Sequence, residues 1–167
     1  MVYLCLVNRT TDPTREITMT IAITGATGQL GRHAIAALTA RGGKPVALAR
    51  DPAKAADLGV ETRAFDYTRP DAAALKGVDT LVLISSNDFT DRAGQHKKVI
   101  AAAKAAGVKR LVYTSILKGD ASPMILAQDH VATEAAIRDS GIPATLLRNG
   151  WYTENYTGAL AAAVQHG

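Results

Sequence analysis

Apolar residues in this chain fall into short runs, separated by segments where they recur every three or four positions. Thr20 to Thr24 is a brief apolar run that ends in glycine and predicts a first strand. Leu30, Ala34 and Leu38 then repeat at helical spacing, so Gln29 to Arg41 predicts a helix that Gly42-Gly43 stops. Pro45 to Ala49 is the second strand. Asp51-Pro52 reads as a cap followed by a first-turn proline, opening a short helix to Leu58. Glu61 to Phe65 is the third strand, followed by a short helix from Asp71 to Lys76. Thr80 to Ile84 is a continuous apolar run, as expected of a strand buried on both faces. A long alanine-rich helix over Thr90 to Ala106 ends at Gly107, and Arg110 to Thr114 is the fifth strand. Pro123 to Ser140 predicts a helix ended by Gly141, and Ala144 to Leu147 is the sixth strand. Strict alternation of strand and helix means a parallel sheet covered on both faces, a doubly wound α/β fold. Ligands of such folds bind beyond the carboxyl ends of the strands, so chemistry is expected just after strands one, two, four, five and six.

Composition narrows this picture. The chain has 167 residues, of which 47% are apolar and 20% charged, enough for one domain with a sizeable core. No apolar run approaches the roughly 18 residues of a membrane span. Cys5 is the only cysteine, which excludes a disulfide framework and a cysteine-based zinc site and fits a reducing compartment, most simply the cytoplasm. The net charge of +4 is spread along the chain, densest at Lys97, Lys98, Lys104, Lys109 and Arg110. With neither a basic face nor a reading motif, nucleic acid is not the expected partner. The mild excess fits an anionic small ligand.

The first strand runs directly into Gly25-Ala26-Thr27-Gly28-Gln29-Leu30-Gly31, which opens a helix. Glycines there let the chain turn sharply and let backbone amides approach a pyrophosphate, with the helix dipole favouring the anion. A glycine triplet is weak on its own but specific between the first strand and first helix of a βαβ unit. A ligand-free tight turn is the plain structural alternative. After the second strand, where an acidic residue often binds the ribose diol of NAD(H), this chain has Arg50. Asp51 is better explained as a helix cap. An arginine there can pair with a 2′-phosphate, favouring NADP(H) over NAD(H); the alternative is a solvated strand-end arginine.

Four stretches together carry a resemblance. They are GATGQLG, Arg50-Asp51-Pro52-Ala53-Lys54, Thr114-Ser115, and Leu147-Arg148-Asn149-Gly150-Trp151-Tyr152-Thr153-Glu154-Asn155-Tyr156. The chain resembles the atypical short-chain dehydrogenase/reductases, and within them the NmrA-like family and its NADPH-dependent quinone reductases. The resemblance covers about Thr20 to Gly167. It implies that Ser85 and Ser86 line the ribose, that Thr114 and Ser115 stand near the place of a catalytic serine, and that Asp66 and Tyr67 flank the adenine. It also implies that Asn149, Gly150, Trp151 and Tyr152 approach the nicotinamide and substrate. Turn capping for the serines and core packing for Trp151 and Tyr152 are the plain alternatives.

Ordinary short-chain dehydrogenases use a Tyr-x-x-x-Lys pair as proton donor. The corresponding helix here carries His130 and Glu134 at the same spacing. Without that pair, alcohol–ketone chemistry lacks its proton relay. A quinone can accept hydride without a strong acid, because the product phenolate is comparatively stable. His130 could donate a proton with Glu134 orienting it; equally, the two could simply stabilise a helix face. The expected catalytic set is therefore His130, Glu134 and Tyr152.

Residues 1–18 look foreign to the pattern that begins at Met19. They are expected to be a disordered extension or a misplaced start, or else to add an edge strand over Val2 to Val7. Residues 19–167 are expected to form the NAD(P)-binding domain. The resemblance implies a further strand and substrate lobe that do not follow within this sequence, so an open sheet edge inviting homo-oligomerisation is expected. Three functions fit: an NADPH-dependent reductase of a quinone-like acceptor, a non-catalytic nucleotide sensor, or an inactive fragment.

Overall fold

The computed structural model describes residues 19–158 and 160–166; the expectations for residues 1–18 lie outside the described residues. Six strands form one sheet: β1 (Ile21–Ile23), β2 (Val46–Ala49), β3 (Thr62–Ala64), β4 (Thr80–Leu83), β5 (Arg110–Ile116) and β6 (Ala144–Asn149). All neighbours are parallel, in the order β3-β2-β1-β4-β5-β6. The order reverses at β1, between β2 and β4, which is where a doubly wound sheet opens a crevice.

The helices are α1 (Gln29–Ala40), α2 (Arg92–Ala105), α3 (Ala127–Ser140), and the short α4 (Glu154–Thr157) and α5 (Leu160–His166). Two crossovers are 3-10 rather than α-helical, over Pro52–Leu58 and Ala72–Leu75. Each starts on an aspartate, Asp51 and Asp71, whose carboxylate accepts the amide two residues on. That is the capping role expected of Asp51. None of the described helices is long and apolar enough to cross a membrane.

The core has two layers. On one face, Leu48, Leu81, Leu83, Leu111 and Tyr113 pack with Val99, Ile100 and Ile137 of α2 and α3. On the other, Ile23 and Ala47 pack against Ile35 of α1. Strands β5 and β6 run two residues further than the apolar pattern alone suggests. Parallel pairing continues through Ser115 with Arg148 and Ile116 with Asn149, and three of these four residues are polar, so a hydrophobic run does not mark them. Helix α3 begins at Ala127, not Pro123. The segment before it is held as a turn, with the Ser122 hydroxyl accepting the Met124 amide.

Candidate functional site

The glycine turn between β1 and α1 is built by close approach. Gly25 adopts φ +60°, a left-handed conformation that suits glycine. At Gly31 a Cβ would stand 2.3 Å from the Gly25 carbonyl oxygen and 2.8 Å from the Ala26 Cα, so no side chain fits where the helix presses on the turn. Arg32 then ties the turn down. It donates to the Thr27 and Lys54 carbonyls and pairs with Asp57. The first amides of α1 are left without intrahelical partners, as at any helix start.

Above this turn lies a cavity of about 540 Å³. Gly25, Thr27, Gly28, Gln29, Leu30 and Gly31 form its floor. Arg50 from the end of β2 and Asp66 and Tyr67 from the end of β3 form one wall; Ser85 and Ser86 after β4 form the other. Tyr152, on the segment after β6, closes the far side. Most of the expected cofactor-binding residues thus meet in one place. Among the described residues Arg50 makes no hydrogen bond or ion pair, and its charge faces the Asp66 carboxylate. Asp66 accepts the amide and hydroxyl of Thr68, both at 2.8 Å, and these bonds hold its pKa below the usual carboxylate range. The Tyr67 hydroxyl donates to the Ile84 carbonyl at 2.8 Å, and burial pushes its pKa well up, so it is a neutral wall.

Other expected site residues lie behind the cavity, with their polar atoms already engaged. Thr114 accepts the Ser85 amide at 2.8 Å, anchoring a lining residue without lining the space itself. The Ser115 hydroxyl donates to Glu134 at 2.6 Å. Glu134 is 2% exposed and receives two further bonds from Arg148, at 3.0 and 2.7 Å. The Arg148 guanidinium is the main reason its pKa falls.

The expected His130–Glu134 partnership is corrected by this arrangement. Among the described residues no hydrogen bond or ion pair joins them, because Arg148 on the neighbouring strand takes the carboxylate. His130 instead shares a 2.7 Å hydrogen bond with the Tyr113 hydroxyl, and burial lowers its pKa. Neither His130 nor Glu134 lines the cavity. Asn149, Gly150 and Trp151 do not line it either, and the Trp151 side chain is exposed rather than packed in the core. Asn149 donates to the Tyr152 hydroxyl at 3.0 Å and so orients the one residue of that run that does.

The lining also contains residues that were given no site role from the sequence: His33, Thr68, Asn87, Asp88, Gln95, Glu154 and Asn155. Glu154 and Asn155 sit inside the quoted Trp-Tyr-Thr-Glu-Asn stretch, and Gln95 faces the cavity from the first turn of α2. The position of these three was in principle readable from the stretches flanking strands four and six. Asp88 has its pKa pulled down to about 2, chiefly by the Thr90 hydroxyl and amide.

Comparison with known proteins agrees with this geometry. The NAD(P)H-binding family matches residues 25–167. Quinone oxidoreductase 2 of Escherichia coli is 53% identical over 88% of this chain and 54% of its own length. The crystal structure of that protein complexed with NADPH superposes with a TM-score of 0.81 at 52% identity, covering 88% of this chain and 54% of the other. The triphenylmethane reductase of Citrobacter sp. complexed with NADP(H) superposes at 0.82 with 40% identity, over 89% of this chain and 55% of that one. The chain spans about half the length of the curated relatives it matches. It belongs to the NAD(P)H-binding family.

Proposed function

We propose that this chain binds NADPH in the cavity at the switch point, as the cofactor half of a reductase acting on a quinone or a similar acceptor. The observation that carries the reading is the glycine turn: the space a Gly31 Cβ would occupy is already filled by backbone, and the turn opens onto a cavity walled by Arg50. The residues present fit a dinucleotide. The α1 amides and Thr27, Gly28 and Gln29 would hold the pyrophosphate. Arg50 would pair with the 2′-phosphate as a charge-assisted donor. Ser85 would meet a ribose, its amide fixed by Thr114, and Tyr152 would border the nicotinamide end.

When bound, the cofactor supplies a hydride. The chain's own contribution is binding, orientation and partial exclusion of water. With His130 and Glu134 engaged elsewhere, no Tyr-x-x-x-Lys pair stands at the cavity among the described residues. That supports an acceptor whose reduced form tolerates negative charge, and the E. coli relative's name supports a quinone. The single cysteine fits a reducing, cytoplasmic setting.

The test is a fluorescence titration with NADPH and NADH. NADPH should bind more tightly, and Arg50→Ala should weaken NADPH about tenfold while leaving NADH unchanged, the loss of one charge-assisted contact. Equal affinities for the two nucleotides would remove the Arg50 assignment. NADPH oxidation on adding a quinone then separates a reductase from a nucleotide sensor.

A further inference from the structure

The loop after β4 is fastened to α2 chiefly through one residue, Ser86. Ser86 has each of its polar groups engaged. Its amide donates to His96 Nε2 at 2.9 Å, its carbonyl accepts from Arg92 Nε at 2.6 Å, and its hydroxyl donates to Gln95 Oε1 at 3.1 Å while accepting the Asp88 amide at 3.1 Å. Gln95 also reaches the Asp88 carboxylate. Arg92, Gln95 and His96 stand at i, i+3 and i+4, one face of the first turns of α2. All three are at least nine-tenths buried, with His96 wholly so.

His96 is held in one form. The Thr133 hydroxyl gives its proton to the Asp129 carbonyl at 2.7 Å, so at 2.9 Å from His96 Nδ1 it accepts. Nδ1 therefore carries the ring proton, and Nε2 is left as the acceptor that the Ser86 amide requires. Burial agrees, pulling the pKa of His96 down to about 3 and keeping the ring neutral.

We propose that His96, with Arg92 and Gln95, is a positioning residue for the nucleotide site, acting through Ser86. This rests on the NADPH reading of the cavity. Ser86 then serves as a fixed wall rather than as a hydroxyl ligand, and Ser85 is the serine left to meet the nucleotide. Arg92 supports the same loop from its far side, its guanidinium 4.8 Å from the Phe89 ring centre. None of the three side chains need touch the reacting atoms.

The experiment compares NADPH binding by the wild-type chain, His96→Leu, His96→Gln and Ser86→Ala, with unliganded melting temperatures recorded alongside. Leucine removes the acceptor and leaves the Ser86 amide unpaired, so NADPH affinity should fall about tenfold. Glutamine can accept the same amide and should recover affinity to within about threefold of wild type. Ser86→Ala, which keeps the amide and carbonyl bonds, should weaken binding less than His96→Leu does. Nitrogen-15 spectra of the wild-type chain provide a readout that does not depend on the variants folding: His96 Nε2 should resonate as an unprotonated nitrogen, and the Ser86 amide should exchange slowly. Unchanged affinity in His96→Leu, a glutamine variant no better than leucine, or a fast-exchanging Ser86 amide would each overturn the proposal. A wild-type chain that binds neither nucleotide overturns the cofactor reading itself, and this proposal with it.

Discussion

The two halves of the sheet use similar polar residues in opposite ways. Around β1, β2 and β3 the side chains that matter stand open to the cavity: Thr27, Gln29 and Arg50 are exposed. Around β5, β6 and α3 the polar groups are engaged with one another, Ser115, Glu134 and His130 buried and Arg148 half-exposed. Ser115 and Arg148 both donate to Glu134, and Tyr113 bonds His130. A site is recognised less by which residues are near than by which still have hydrogen-bonding capacity to offer. By that measure the first half carries the unengaged polar groups that the NADPH reading calls on, and the second carries a closed hydrogen-bonded network.

The sharpest challenge to the contrast is Gly31→Ala. Its methyl meets backbone, which cannot swing aside, so denaturant unfolding should show a loss of about 3 kcal/mol together with loss of NADPH binding. Retained binding would mean that the turn is not the ligand cradle. Next is Glu134→Ala in the other half. Breaking a buried pair costs most when both charges are sequestered, and the Arg148 side chain is 44% exposed, so the expected loss is about 2 kcal/mol. NADPH affinity should not change. If affinity collapsed while stability held, Glu134 would belong to the site after all.

The smallest effect is acid sensitivity. His96 is neutral in the folded protein down to about pH 3, whereas the unfolded chain takes a proton near 6.5. Above 6.5 neither form is protonated and nothing changes. Below it only the unfolded chain gains the proton, so stability falls as pH drops, by about 1 kcal/mol per such histidine between pH 6.5 and 5.5. His130 is shifted in the same direction. Unfolding curves at these two pH values should show His96→Gln losing less stability than wild type. An equal loss would show that His96 is not held neutral.

What the sequence made legible was local. The glycine turn, the Asp51 cap and the place of Arg50 depend on neighbours a few residues away, and each stands where the pattern put it. The role of Glu134 was not legible, because its partner Arg148 arrives from the adjacent strand and outcompetes the helical neighbour His130. The clasp on Ser86 was hidden for a related reason. His96 meets Thr133 across 37 residues, and nothing in the alanine-rich pattern of α2 distinguishes a buried histidine from a solvated one. Of the run from Asn149 to Tyr152, only Tyr152 lines the cavity, because the direction of each side chain after β6 is set by the fold and not by the run's composition.

The central place of β1 sets an order of assembly. Thr24 reaches the Val82 carbonyl across 58 residues of chain, and β1 is flanked by β2 and β4 with no hairpin to bring either in quickly. Such non-local parallel pairing forms late and slowly. The glycine turn is tied to this pairing on both sides, its Thr24 and Ala26 amides donating to the Val82 and Leu48 carbonyls, so it is complete only in the closed sheet. A nucleotide that recognises the finished crevice leaves the folding rate nearly untouched and acts on the reverse step, lengthening the lifetime of the native state once it has formed.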